Sequence, residues 1–416
     1  MKRRLLPILM TLVLVCALPI WAAFVTSGDV TNPLVCTAGA TEPTLQEMID
    51  KANAGDTIKL SSNTEIAATL QITKNLTLDL NGCVLRMRGS GSVLKVSGRA
   101  TLTITDSSAA KSGTITGGNA EDGGGVYVEA HATLEMTGGC ITGCRAEDGG
   151  GVYIDNNATL KMTGGCITDC HASYGGGGIY SYENLYMGGT AKIEKCTSKW
   201  GSDDAIWNRE RCNIYADGGT VDGTVNNQGT IRRSEGAAAE TVFNGTVYNR
   251  SAGTIIAGIY NETVENNGTI TGGTFWGTVT NKKSAWGNEA GTISGGTFAV
   301  RFDTGDGTKP EPTPVEHNRT VLRPTSDPEK SGHTFVGWYL GDALYDFNTP
   351  VTAPLTLTAR WEEVPSSGGN YYYHPTTDTK ADDTKGSPKT ADPGVALYGA
   401  LALLSLTGLT CTAKKR

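Results

Sequence analysis

The sequence predicts an all-β chain whose main body is a stacked parallel β-helix, and three observations predict it. Residues 123–148 are repeated at once by 149–174, with 17 of 26 positions identical. Self-similarity at such a period is the mark of a solenoid. Within each copy the apolar residues alternate: Val126 and Val128, then Leu134 and Met136, with polar Thr133 and Glu135 between. That is the period of a half-buried strand, not of a helix. Gly clusters separate these short strands, as tight turns require. One coil cannot bury its own apolar face, so coils must stack at about 4.8 Å over a shared core.

Taken in order, the chain opens with Lys2-Arg3-Arg4, an apolar run from Leu5 to Ile20, and small residues at Ala22 and Ala23. This reads as a secretory signal over 1–23, since the run is short for a membrane anchor. From Pro43 to Ala52, the positions of Leu45, Met48, Ile49 and Ala52 predict a short amphipathic helix. Strand phrases follow, Gly55-Asp56-Thr57-Ile58-Lys59-Leu60 and Leu76-Thr77-Leu78-Asp79-Leu80-Asn81-Gly82. A helix at this point would cap the open end of the stack, which otherwise exposes core and unpaired strand edges. Helix, "Gly-Asp-Thr-Ile" strand and "Leu-Thr-Leu-Asp-Leu-Asn-Gly" coil together resemble the opening of pectin-lyase-like proteins. The resemblance implies a right-handed parallel β-helix.

Coils continue through Val93–Val96 and Ala100–Thr105. The phrase Ala-Thr-Leu recurs at 132 and 158, and Gly-Gly-Gly-Val-Tyr returns as Gly176-Gly177-Gly178-Ile179-Tyr180. These coils resemble those of Gly-rich bacterial surface proteins and autotransporter-like adhesins. From Gly218 the repeated words become Gly-Gly-Thr, Gly-Thr-Ile and Gly-Thr-Val at shorter spacing. They predict narrower coils up to 298; a separate Gly-rich stalk is the alternative.

Residues 299–363 read differently. Val300-Arg301-Phe302-Asp303, Gly332-His333-Thr334-Phe335-Val336-Gly337-Trp338-Tyr339, Tyr345-Asp346-Phe347 and Leu355–Trp361 resemble the internalin B-type (Listeria–Bacteroides) repeat. That implies a small β-grasp-like module, with Phe335, Trp338, Phe347 and Trp361 as its core and a spacer or binding role. Residues 364–390, rich in Ser, Thr, Pro, Asp and Lys, predict a disordered linker.

Residues 391–416 include Val395 to Ala413, 19 residues without a charge, before Lys414-Lys415-Arg416. The run is long enough to span a bilayer as a transmembrane helix, with a cytoplasmic basic stop. Ser387-Pro388-Lys389-Thr390-Ala391 lies just ahead. Motif, span and basic tail resemble a Gram-positive cell-wall sorting signal. The resemblance implies that a sortase cuts after Thr390 and joins it to peptidoglycan. Ser387 and Ala391 stand where Leu and Gly are usual, which bears on the class of sortase. A plain tail anchor is the alternative.

Without the basic and acidic residues of the two ends, 29 Lys plus Arg face 41 Asp plus Glu, a net charge of −12. That argues against a nucleic-acid partner and against docking on an anionic membrane surface. Of ten cysteines, Cys16 and Cys411 lie in the terminal segments. Cys140 and Cys166, and likewise Cys144, Cys170 and Cys196, recur at the repeat period and should stack on adjacent coils. Small stacked side chains, disulfides, or a zinc site of Cys140, Cys144, Cys166 and Cys170 all remain open.

Candidate catalytic carboxylates are Glu121-Asp122, Glu147-Asp148 and Asp203-Asp204, with Arg145 and His171 near them in the repeat. Cleavage of acidic polysaccharides on β-helices needs such carboxylates gathered on one face, for Ca²⁺ or for acid/base work. The plainer reading is solvated turns ahead of the Gly runs. Glu135 over Lys161 is a structural opposite-charge pair. The expectation is a wall-anchored surface protein that adheres to a host or environmental glycan or surface protein. A polysaccharide lyase or hydrolase on the same fold, or a plain spacer, is the alternative.

Overall fold

A computed structural model describes residues 24–26, 43–199, 204–283, 290–308 and 310–364. The predicted signal, linker, sorting motif and apolar tail lie outside the described residues, as does Asp203. Among the described residues no helix is long and apolar enough to cross a membrane.

The alternation read from the repeat builds three strands per coil, and each strand pairs in parallel with its equivalents one coil before and after. One column runs from Leu76–Asp79 through Thr101–Thr105, Thr133–Met136 and Thr159–Met162. A second carries Thr114–Thr116, Cys140–Thr142 and Cys166–Thr168. The third is a ten-stranded sheet from Leu70–Ile72 to Val279–Asn281. From Arg145–Asp148 to Thr197–Ser198 a further three-stranded sheet widens the coils. Leu134, Met136, Ile141, Val126 and Val128 all point inward with no exposure. Glu135 lies opposite Lys161, their charged atoms 3.2 Å apart, as the repeat predicts.

The coils narrow toward the C-terminus: equivalent residues stand 26 apart at Cys140 and Cys166, then 17 at Asn249 and Asn266, then 15 at Asn266 and Asn281. A thinner coil encloses less space, and aromatic rings fill it. Phe243, Tyr260, Phe275 and Phe298 stack with centroids 5.0, 4.9 and 5.4 Å apart. Tyr260 satisfies its buried hydroxyl on the carbonyl of Ala257 at 2.7 Å. On the third column Asn208, Asn227, Asn249, Asn266 and Asn281 form a ladder, each side-chain amide donating to the next at 2.8 Å.

The first coil is closed by the helix Leu45–Lys51, slightly shorter than predicted. Thr44 and Glu47 form a reciprocal capping box, and Leu45, Met48 and Ile49 face the core. Gln46 covers the free edge of the ten-stranded sheet: its side-chain oxygen accepts from Gln71 N at 2.8 Å and its amide donates to Gln71 O at 3.2 Å. Strand Phe24–Thr26 pairs antiparallel with Thr57–Lys59 on a second edge. Together they shield edges that would template pairing with other chains.

Beyond the narrow coils, strand Thr297–Asp303 is shared. Its start extends the solenoid by pairing with Thr274–Phe275, and its end pairs in parallel with Leu355–Glu363. Thr313–Glu316 flanks it antiparallel on one side, and His333–Leu340 flanks Leu355–Glu363 antiparallel on the other. Two central parallel strands of this domain thus lie between antiparallel ones. Trp338 is buried at its centre, with Phe335, Phe347 and Trp361 half-buried around it.

Candidate functional site

The strands of the ten-stranded sheet read Val126-Tyr127-Val128, Val152-Tyr153-Ile154 and Ile179-Tyr180-Ser181. Alternation sends their flanking residues inward and their middle residue outward. Register then makes a single file on the outer side of the sheet, Lys95, Tyr127, Tyr153, Tyr180, Trp207, Asn226 and Tyr248, in which Tyr180 and Asn226 are themselves buried. The Gly runs bring this file beside the acidic turns. At Gly150 a Cβ would stand 2.4 Å from His171 O and 2.6 Å from Gly177 O, so only glycine allows the adjacent coils to close there.

The rings of the file touch one another. Tyr153 and Tyr180 lie nearly parallel at 5.8 Å, as do Tyr180 and Trp207 at 6.2 Å. Tyr127 is tilted against Tyr153 at 5.4 Å, and Tyr182 leans against Tyr153 and Tyr180 at 5.8 and 5.5 Å. Rings stacked along the axis cover each other's faces; Tyr180 and the indole Nε1 of Trp207 are buried, so Tyr127 and Tyr153 supply the edges and hydroxyls that face outward. Cations cover two further faces: Lys95 Nζ stands 5.2 Å over Tyr127, and Arg209 stands 4.8 Å over Tyr182 while donating to Tyr180 Oη at 2.8 Å. Tyr127 donates to Asp155 at 3.2 Å.

Asp122 and Asp148 come together: they are bridge partners on adjacent coils at the border of the file. Asp148 accepts from Gly175 N at 3.2 Å. Burial, then the charge of Asp148, pushes the Asp122 carboxyl up to about 6, with Glu121, Asp155 and Glu147 adding to the effect. Burial raises Asp148 as well. Burial and the charge of Asp155 push the Tyr127 hydroxyl up to about 12; burial pushes Tyr180 to about 12 and raises Tyr153. The hydroxyls therefore stay protonated and remain donors.

Asp204 does not join the pair. It aligns with Thr224, is 3% exposed, and accepts from Gly176 N at 3.0 Å and Asn226 Nδ2 at 3.4 Å. Burial raises its pKa, and its bonds are those of a structural acceptor. Arg145 faces His171 in the three-stranded sheet, where His171 Nδ1 lies 2.9 Å from Thr197 Oγ1.

The cysteines separate into two kinds. Cys140 and Cys166 are joined in a disulfide, with Cα atoms 4.5 Å apart. Cys144, Cys170 and Cys196 are buried free thiols. A zinc site of Cys140, Cys144, Cys166 and Cys170 is therefore corrected, because two of its four sulfurs are bonded to each other. Among the described residues no three His, Cys, Asp or Glu side chains are grouped to hold a metal ion.

Two features escape the reading of the sequence. The tyrosines stand at one fixed place in the repeated phrase, which is itself a signal for an outward file. The asparagine ladder is announced by Val-Asn-Asn, Val-Tyr-Asn, Val-Glu-Asn and Val-Thr-Asn, ending at 227, 249, 266 and 281.

Comparison with known proteins matches residues 298–360 to the Listeria–Bacteroides repeat domain. A protein of Evansella cellulosilytica named "Putative Gly-rich membrane protein" is 35% identical over 69 residues, 16% of this chain and 8% of that protein. A second from the same organism, named "Putative membrane protein", is 38% identical over 69 residues, 16% of this chain and 10% of its own length. The chain thus spans about a tenth or less of the relatives it matches. Residues 298–360 are a Listeria–Bacteroides repeat domain, grown on the last strand of a parallel β-solenoid.

Proposed function

We propose that this chain is a bacterial cell-surface protein, exported and then joined to peptidoglycan through Thr390 by a sortase, and that its solenoid adheres to an extended glycan. The observation that carries the adhesive reading is the outward file Tyr127, Tyr153, Tyr180 and Trp207. Its rings recur once per coil, at about 4.8 Å. A repeating hydroxyl-rich polymer lying along the solenoid axis meets the half-exposed rings of Tyr127 and Tyr153 on adjacent coils. Aromatic edges with polar tips suit such surfaces, being apolar in body and wet at one end. Supporting the surface setting are the repeat domain at 298–360 and the acidic mature chain.

A glycan-array screen of the protein, with and without Ca²⁺, tests this reading when paired with Tyr153→Phe. That change keeps the stacked ring and removes the hydroxyl. Binding should fall by about tenfold for a lost hydrogen bond to a ligand, with the melting temperature unchanged. Unchanged binding would make the file a purely structural ladder. Release of wall fragments bearing a peptide that ends at Thr390 would support the anchoring, and an intact C-terminus on the wall-bound protein would refute it.

A second reading, polysaccharide cleavage, is favoured by one observation: Asp122 and Asp148 are stacked, and Asp122 is pushed up to about 6, toward the range of a general acid. Cleavage of the bound glycan that disappears in Asp122→Asn with Asp148→Asn would establish it in place of adhesion.

A further inference from the structure

We propose that Cys144, Cys170 and Cys196 form an oxidation site that carries one further disulfide, shared through Cys170 and able to shift by one coil. The inference goes beyond the glycan-binding face and does not depend on it.

The three thiols stand in file. They occupy one position on three successive coils: the amide of His171 donates to Cys144 O and that of Thr197 to Cys170 O, both at 2.9 Å. All three point into the core and are at most 1% exposed. Cys170, in the middle, is within hydrogen-bonding reach of both other thiols. The lean of the side chains agrees. Cys170 Sγ donates to Ile141 O and Cys196 Sγ to Ile167 O, each at 3.8 Å and each on the coil before its own. These sulfurs are thus tipped toward the cysteine one coil back.

The outer column of the same coils shows that this stacking can be bridged. Cys140 and Cys166 stand four residues ahead of Cys144 and Cys170, and their disulfide spans Cα atoms 4.5 Å apart. Coils stacked at about 4.8 Å keep the inner column within disulfide range as well. Bridging gives up little. The thiols otherwise hold long, weak bonds to the carbonyls of Thr142, Thr168 and Glu194, at 3.6, 3.3 and 3.3 Å. A disulfide replaces two buried S–H donors by an apolar group.

Three sulfurs allow one bond and leave one thiol. The oxidant is a low-molecular-weight disulfide such as oxidised glutathione. It takes two electrons and two protons from Cys170 and one neighbour and leaves as two thiols. The remaining thiol, as thiolate, attacks Cys170 Sγ; the first S–S bond breaks and the displaced sulfur takes up a proton. Sulfurs in file along the axis set attacker, centre and leaving group in line. The crosslink then passes from the coils that Cys140–Cys166 already staples to the next pair of coils. Burial keeps the oxidant out of the closed stack, so the reaction runs through local opening of these coils.

The test incubates the full chain with oxidised glutathione in urea below the unfolding transition, and follows each cysteine by differential alkylation and peptide mass. In the wild type one of the three column thiols should survive, distributed between Cys144 and Cys196. Cys144→Ala and Cys196→Ala should each lose both remaining column thiols to a crosslink. Cys170→Ala should keep both of its own, and Cys170→Val repeats this arm should circular dichroism show the alanine variant misfolded. Three surviving thiols in the wild type, or glutathione adducts in place of the crosslink, overturn the proposal. Loss of both thiols in the Cys170 variants overturns the shared centre, because Cys144 and Cys196 stand two coils apart. A surviving thiol confined to one end of the column overturns the shift.

Discussion

Replacing Asp122 by Asn should make the protein more stable near neutral pH, and by an amount that depends on pH in a stated direction. Asp122 sits opposite Asp148, with Glu121, Glu147 and Asp155 close enough to act on it. Its carboxyl is pushed from 3.8 to about 6, first by burial and then by the charge of Asp148. The folded protein thus holds this proton more tightly than the unfolded chain does. Between the unfolded value and about 6, stability is lost as pH rises, and above about 6 the whole penalty is present. A displacement of this size corresponds to roughly 3 kcal/mol if fully realised. Asp122 is only half-buried, and solvent screening reduces the figure to about 1 kcal/mol. Asn fills nearly the same volume and carries no charge. Urea unfolding of wild type and Asp122→Asn, at pH values on either side of that window, isolates the effect, since every other titrating group is common to both. The variant should unfold at higher urea at neutral pH, and the two midpoints should converge in acid. Equal midpoints at neutral pH, or an advantage of the variant that grows on acidification, would refute the like-charge account.

Four further outcomes follow from the packing. Gly150→Ala should cost more than about 3 kcal/mol or prevent folding, because the new Cβ meets backbone oxygens at 2.4 and 2.6 Å; soluble yield and circular dichroism report it. Asn249→Ala should cost about 1–3 kcal/mol in urea unfolding, since Asn227 Nδ2 keeps only its longer bond to Thr254 O and Asn266 Oδ1 only the one from Gly268 N. The exposed Asn244→Ala should cost under about 0.5 kcal/mol. Cys140→Ala with Cys166→Ala removes a crosslink between residues 26 apart and should lower stability by about 3 kcal/mol in the chain-entropy model, an effect that a reductant should reproduce in the wild type.

Much of the solenoid was legible because a repeat states its own register. Once residues 149–174 are laid over 123–148, Glu135 must face Lys161 and Cys140 must face Cys166, and both pairs form. The pairing of Asp122 with Asp148 follows from the same overlay. Legibility fails where the overlay fails. Between Ala172 and Gly175, at the end of the second copy, there is one extra residue, so Asp148 aligns with Gly175, and Asp204 enters the next coil at a different place. Inward positions are fixed by burial and announce themselves by alternation. Outward ones such as Tyr153 and Trp207 are unconstrained by the core, so alternation gives the side on which they stand and nothing about what they meet there. The asparagine ladder is hidden for the opposite reason: a polar residue at an inward position reads as a break in the pattern until its neighbours one coil away are known to satisfy it. The choice among cysteine pairings needed the coordinates, because stacked cysteines at one spacing took two forms.

Strand Thr297–Asp303 belongs to both the solenoid and the repeat domain, and this has a mechanical meaning. Its N-terminal end is rooted in the coil stack, and its neighbour Leu355–Glu363 runs parallel to it and leads away at the opposite end. Tension between the solenoid and Glu363 therefore drags these two strands past each other along their length. The hydrogen bonds between them are loaded together, in shear, and cannot open one at a time like a zipper. The small domain is placed as a clamp, able to carry force into the solenoid without first unravelling itself.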